Sequence, residues 1–141
     1  MSDAERRAFL SEGTRTGVLS TTRKDGTPHA APIWFILDPD DPDVVVFTTG
    51  RDTVKGRNLA RTGVATLTVD VAEPPFSFVT ITGQIEISDD QAVMLEWTTR
   101  LGARYMGADK AEEFGRRNAV PEELLVRLRP DKIVAMAAVA D

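Results

Sequence analysis

Polar and apolar residues along this chain alternate at the two-residue spacing of strands more often than at the spacing of helices. Val64-Ala65-Thr66-Leu67-Thr68-Val69-Asp70 alternates cleanly, as a strand with one buried face must. Val44-Val45-Val46-Phe47-Thr48-Thr49 is a run of β-branched residues around one Phe, which predicts a strand. Thr16 to Thr22 reads as another, and Lys24-Asp25-Gly26 as the hairpin turn after it, since Gly takes positive φ without strain. A further strand is expected from Thr27 to Leu37, with Pro28 and Pro32 confining it to an edge, a bulge or a ligand contact. Asp38 to Asp43 reads as a turn, and Phe76 to Ile87 as a long strand with a bulge or bend at Gly83. Leu124–Leu128 and Ile133–Val139 read as two last strands joined through Arg129-Pro130-Asp131-Lys132.

Helices are fewer and shorter. Ser2-Asp3-Ala4-Glu5 has the spacing of a capping box, and Gly13 closes the helix it opens. Thr53 to Arg61 reads as a short helix stopped by Gly63. Ser88-Asp89-Asp90-Gln91 reads as a second capping box, opening a helix to about Tyr105, with Gly107 before a weaker one over Asp109–Asn118. Many antiparallel strands with few helices predict a mainly β, α+β fold: a barrel, flanked by helices, that hides its edges by closing on itself. The length of 141 residues suits one domain over 1–141.

Composition narrows the function. The absence of cysteine excludes thiol catalysis, disulfides and Cys-bound zinc, and suits a reducing compartment. No apolar run is long enough for a membrane span and Met1 to Arg7 is no signal peptide, so a cytoplasmic location is expected. A net charge of −5 disfavours nucleic acid. His29, the only histidine, can build neither a metal cluster nor a triad and is read as a structural or surface residue. The Asp38–Asp43 cluster lacks the glycine and spacing of a calcium loop, and Ser20 and Ser77 lack the setting of a nucleophile.

Two segments carry candidate chemistry. From Phe47 to Arg61 a strand end with Thr48 and Thr49 meets a helix start capped by Thr53, with Arg51, Lys55 and Arg57 close by. Hydroxyls, free amides, the positive dipole end and cations together suit a phosphate. The same residues equally describe a capped surface helix with solvated cations. In Gly26 to Phe35, small residues and Pro32 leave backbone groups open beside the rings of Trp34 and Phe35, as a flat heterocycle requires. An irregular core strand would look the same. Trp97, Arg104 and Tyr105 fall on or after the main helix, and the Tyr105 hydroxyl is a candidate for facing a substrate.

Taken together, Asp25 to Phe35, Phe47-Thr48-Thr49, Lys55-Gly56-Arg57-Asn58-Leu59, Gly63 to Leu67 and Arg104-Tyr105-Met106-Gly107 resemble the pyridoxamine 5′-phosphate oxidase-like superfamily of split β-barrel flavin and deazaflavin proteins, over nearly the whole chain. The resemblance implies a split β-barrel of antiparallel Greek-key-like strands with flanking helices, and a homodimer with the cofactor at the interface. It implies that Pro32, Ile33 and Trp34 meet the ring edge, while Thr48, Thr49, Arg51, Lys55 and Arg57 bind the phosphate and its neighbours. Pyridoxamine oxidases proper bring a C-terminal Arg-x-His pair to substrate, and no histidine follows His29 here. Pro-Ile-Trp-Phe and Lys-Gly-Arg-Asn-Leu look more like the branch using coenzyme F420. The implied activity is an F420-dependent reductase passing a hydride to an unsaturated small molecule. The protein would orient the reactants and Tyr105 or solvent would supply the proton. An FMN-dependent oxidase or reductase of the same fold, and a deazaflavin carrier without turnover, are the alternatives.

Overall fold

The computed structural model describes residues 1–141. In chain order the elements are α1 (Asp3–Ser11), β1 (Gly17–Thr22), β2 (Pro28–Ile33), β3 (Ile36–Asp38), β4 (Asp41–Gly50), α2 (Val54–Thr62), β5 (Val64–Asp70), β6 (Phe78–Ser88), α3 (Gln91–Met106), a 3₁₀ turn at Ala108–Lys110, α4 (Ala111–Asn118) and β7 (Glu123–Met136). The strands form one antiparallel seven-stranded sheet in the order β2-β1-β5-β6-β7-β4-β3. Its two edge strands, β2 and β3, follow one another in sequence and are separated only by Trp34 and Phe35. The sheet therefore curls until its edges meet through covalent chain rather than through hydrogen bonds, which is the split barrel that the resemblance implies.

The inward residues of this curled sheet fuse into one core that includes Leu19, Phe35, Val45, Phe47, Leu67, Val79, Ile81, Val126 and Leu128. A smaller cluster of Val44, Val46, Leu125, Met94 and Trp97 packs α3 against the outside of β4 and β7. Covering on both sides explains why Val44 to Phe47 are all buried and why that stretch has no polar alternation. The Ser2 capping box is present, with Ser2 Oγ accepting from the Glu5 amide at 3.1 Å and Glu5 accepting from the Ser2 amide at 2.7 Å.

Four expectations change. The single strand expected over Thr27–Leu37 is two, because the backbone of Phe35 leaves the ladder: its N–H donates to the Tyr105 hydroxyl at 3.1 Å and its carbonyl accepts from Arg104 at 2.6 Å. The turn expected over Asp38–Asp43 shrinks to Pro39-Asp40, with Asp38 opposite Asp41 and the Asp40 N–H bonded to the Asp38 carboxylate at 2.9 Å. The second capping box is instead an Asp90 cap, whose carboxylate accepts from the Ala92 and Val93 amides, while the Ser88 hydroxyl accepts only from Asp90 N–H.

The two C-terminal strands are one, and it ends at Met136 rather than Val139. β6 runs beside it from Leu125 to Met136, so no turn is needed at residues 129–132. Gly83 pairs with Pro130 and Thr82 with Lys132, leaving Asp131 as the extra residue of a bulge. A Cβ on Gly83 would lie 1.9 Å from the Arg129 carbonyl oxygen, so only glycine allows β7 this close an approach.

Candidate functional site

The end of β4, the start of α2 and the joint between β2 and β3 converge on one cleft of about 360 Å³, floored by α3 and closed by the start of β7. Pro32, Ile33, Trp34, Thr48, Thr49 and Lys55 all line it, so six of the eight residues expected to hold a cofactor are brought together. Gly50, Thr53, Thr98, Leu101, Asn118 and Glu123 complete the wall.

The anionic end is built by a tight strand-to-helix exit. Thr53 caps α2, donating its hydroxyl hydrogen to Gly50 O at 2.7 Å while its oxygen accepts from Gly56 N–H at 3.1 Å. Gly56 is required by proximity, since a Cβ there would lie 2.1 Å from Gly50 O. Asn58 is buried and donates to Thr21 Oγ1 at 3.1 Å, which fixes α2 to β1. These contacts leave the amides of Val54 and Lys55 outside the helical ladder at its positive dipole end. Lys55, half-buried, makes no direct ion pair and reaches into the cleft.

Arg51 and Arg57 stand outside the lining. Arg51 lies at the rim, donating to Pro121 O at 3.3 Å with Asp89 at 3.9 Å. Arg57 is exposed on the solvent side of α2.

At the other end, Trp34 stacks on Tyr105 with ring centroids 4.8 Å apart and planes 5° from parallel, and Phe114 meets it obliquely at 6.4 Å. Tyr105 lies behind Trp34 and is not part of the cleft wall. Its hydroxyl accepts from Phe35 N–H and has carbonyl acceptors in Arg15 at 2.7 Å and Phe35 at 3.0 Å. Burial pushes its phenol up, against the opposing pull of the Phe35 hydrogen bond and the Arg104 charge. Beside it, Arg104 donates to the carbonyls of Leu10 at 2.7 Å, Gly13 at 3.0 Å and Phe35 at 2.6 Å, and burial holds its guanidinium below the ordinary value. The pair Arg104-Tyr105 thus ties the end of α3 to the end of α1 and to the β2–β3 joint.

Glu123 is the lining residue of greatest consequence that the sequence pattern does not disclose. It reaches the cleft because its register partner is Gly50, a pairing fixed by the sheet rather than by local sequence. Burial pushes its carboxyl up, Lys55 pulls it down and neighbouring Glu122 adds to the rise. Asn118 and Thr98 arrive in the same way, from helices placed by α3–α4 packing. The Thr98 hydroxyl is committed to Gly115 O at 2.9 Å.

The sequence profile of pyridoxamine 5′-phosphate oxidase matches residues 2–137. This chain belongs to that family. It is 32% identical over 99 residues, 70% of this chain and 68% of the relative, to the F420H(2)-dependent biliverdin reductase of Mycobacterium tuberculosis (strain CDC 1551 / Oshkosh). A solved F420 reductase superposes with a TM-score of 0.69 at 25% identity, covering 90% of this chain and 94% of that one. A conserved hypothetical protein from Mycobacterium tuberculosis shares the fold with a TM-score of 0.86 at 21% identity, covering 98% of this chain and 86% of its own. No helix is long and apolar enough to cross a membrane.

Proposed function

We propose that this family member is a coenzyme F420-dependent reductase that works in the cytoplasm as a homodimer of single-domain chains. The observation that carries the reading is the pairing, in one cleft, of an anion-binding helix start with an edge strand running beside stacked aromatic rings. The donor set suits the cofactor at both ends. Thr48, Thr49, Thr53 and the Lys55 ammonium offer hydrogen bonds and charge to a phosphate. As the last strand of the sheet, β2 has one row of unpaired backbone groups, and with Pro32, Ile33 and Trp34 it suits the polar edge of a planar ring. The F420H(2)-dependent relative and the F420 reductase structure support deazaflavin over FMN. When bound, reduced deazaflavin supplies the hydride.

The chain's own work is to hold and exclude. Lys55 and the α2 amides fix the phosphate, and Trp34, braced by Tyr105, sets the plane against which the reactants lie. The wall of Ile33, Trp34 and Leu101 keeps water from the ring face. Tyr105 acts through Trp34, and the proton comes from solvent.

Dimerisation is supported by the outer face of the sheet. Pro32, Val18, Thr68, Thr80 and Val134 are successive cross-strand partners and form one row, with Val18 43%, Val134 37% and nearby Met136 47% exposed. The row runs into the cleft at Pro32, so a second copy seated on it would also border the cofactor. Light scattering should give a dimer, and a monomer that still binds cofactor at micromolar concentration would refute it.

The functional test is a side-by-side titration with F420 and FMN, followed by the spectrum of F420H(2) on adding biliverdin, the substrate in the relative's name. Tighter F420 binding and substrate-dependent oxidation are expected. Equal or tighter FMN binding would replace the cofactor. Binding without oxidation by biliverdin or other conjugated acceptors would make the protein a carrier.

A further inference from the structure

Lys55 and Glu123 are the only charged side chains among those lining the cleft. Lys55 comes from the first turn of α2 and Glu123 from the first residue of β7, and the two do not form a direct ion pair. The Glu123 carboxylate accepts no hydrogen bond from the protein and solvent reaches it. Its backbone cannot retreat. Glu123 pairs with Gly50 across β4 and β7, its N–H donates to Val120 O at 3.0 Å, and the carbonyl of Glu122 accepts from Arg51 N–H at 2.7 Å. A carboxylate is thus held in the same cleft as the one lining cation that would meet a phosphate.

We infer that Glu123 is the resident counter-ion of Lys55 and that it takes up a proton from solvent when the phosphate of the cofactor arrives. The inference rests on the cofactor reading above and adds to it a coupling between cofactor binding and pH.

An incoming phosphate takes over Lys55 and places a second negative charge against Glu123. Two anions in one half-buried cleft repel, and the weaker acid yields by binding a proton. The other charges near Glu123 do not change this. Glu122 is exposed and of the same sign, while Arg51 and Asp89 face one another at the rim. β4 and α3 bring only Thr48, Thr49, Gly50, Thr98 and Leu101 to the wall, and α4 brings the uncharged Asn118.

The burial that raises the Glu123 carboxyl in the free protein, and the phosphate that raises it further, define a window above the ordinary carboxylate range. Below it Glu123 is already protonated and affinity is at its highest. Above it the carboxylate persists and affinity is at its lowest. Within it one proton enters for each cofactor bound.

The test titrates F420 into the wild type and Glu123→Gln from pH 5 to pH 9, with calorimetry in two buffers of different ionisation heat. Comparing the two proteins cancels the titration of the ligand itself. The wild type should lose about tenfold in affinity across the window, the size expected of one charge opposing another across a half-buried cleft. Glu123→Gln should stay near the acid-limit affinity throughout and take up no proton. Equal behaviour of the two proteins, or weaker binding by the variant at every pH, would overturn the inference.

A second arm needs no cofactor. Carboxyl titration by NMR in the free protein should show the Glu123 midpoint moving up in Lys55→Met, and an unmoved midpoint would overturn the pairing. Failure of F420 to bind the wild type at any pH would sink the cofactor reading, and the second arm alone would then decide whether Lys55 and Glu123 are coupled.

Discussion

Replacing Tyr105 by Phe removes one oxygen atom and nothing else, yet that oxygen holds the joint between the two edges of the sheet. It is the acceptor for the Phe35 N–H at 3.1 Å and its own hydrogen is shared between the Arg15 and Phe35 carbonyls. Phe35 is fully buried, so its N–H finds no water once the hydroxyl is gone. Leaving a buried donor unsatisfied costs about 1–3 kcal/mol. The carbonyls lose less, because Arg104 still donates to Phe35 O. The ring remains, so the 4.8 Å stack on Trp34 survives and no cavity opens. A loss of about 2 kcal/mol is therefore expected, which for a chain of this size lowers Tm by roughly 6 °C. Urea unfolding of the free protein and a thermal scan would both read it. Hydride transfer at saturating cofactor should fall only a few-fold, because Tyr105 stands behind Trp34. Unchanged stability together with a collapse in turnover would refute this, and would place the hydroxyl on the substrate as proton donor.

Lys55→Ala should weaken F420 binding roughly ten- to a hundredfold, the range for a lost charge-assisted bond to phosphate, and the loss should shrink in high salt. Its free protein should melt within about 2 °C of the wild type, since a lysine without a direct partner contributes within about 0.5 kcal/mol; a large drop would make it structural. Gly83→Ala should destabilise the fold by more than about 2 kcal/mol by driving a Cβ into the Arg129 carbonyl at 1.9 Å; a neutral result in urea unfolding would show that the β6–β7 bulge yields. Acid should weaken the fold through Asp38 and Asp43. Burial alone would raise Asp38, but Arg127 and the Asp40 amide prevail and hold it below the ordinary value; for Asp43, Arg7 is the main cause, with Arg6 aiding. Depressed folded-state values give stability that is present above the ordinary carboxylate range and lost as pH falls through the folded value. Asp38→Asn should flatten that acid limb in unfolding curves from pH 7 to pH 3, and an unchanged limb would assign it elsewhere.

Much of this protein is written locally. Alternation along Val64–Asp70, the β-branched run at Val44–Thr49 and the Ser2 and Thr53 caps specify their elements without help, because propensity, periodicity and capping act within a few residues. Thr48, Thr49 and Lys55 of the cleft share this property, since a strand end and a helix start carry their own hydroxyls, amides and cation. The rest was decided by groups far apart in the chain. The strand from Thr27 breaks at Phe35 because Arg104 and Tyr105, about 70 residues on, take its backbone hydrogen bonds. The apparent turn at residues 129–132 stays inside β7 because β6 is there to pair with it and Gly83 makes room. Glu123 enters the cleft through its register with Gly50, while Arg51 stays at the rim in the loop before α2 and Arg57 stays on the solvent side of that helix. Register and helix rotation are set by which faces the core buries. A single sequence shows which faces are apolar, but only the assembled barrel decides what each of them meets.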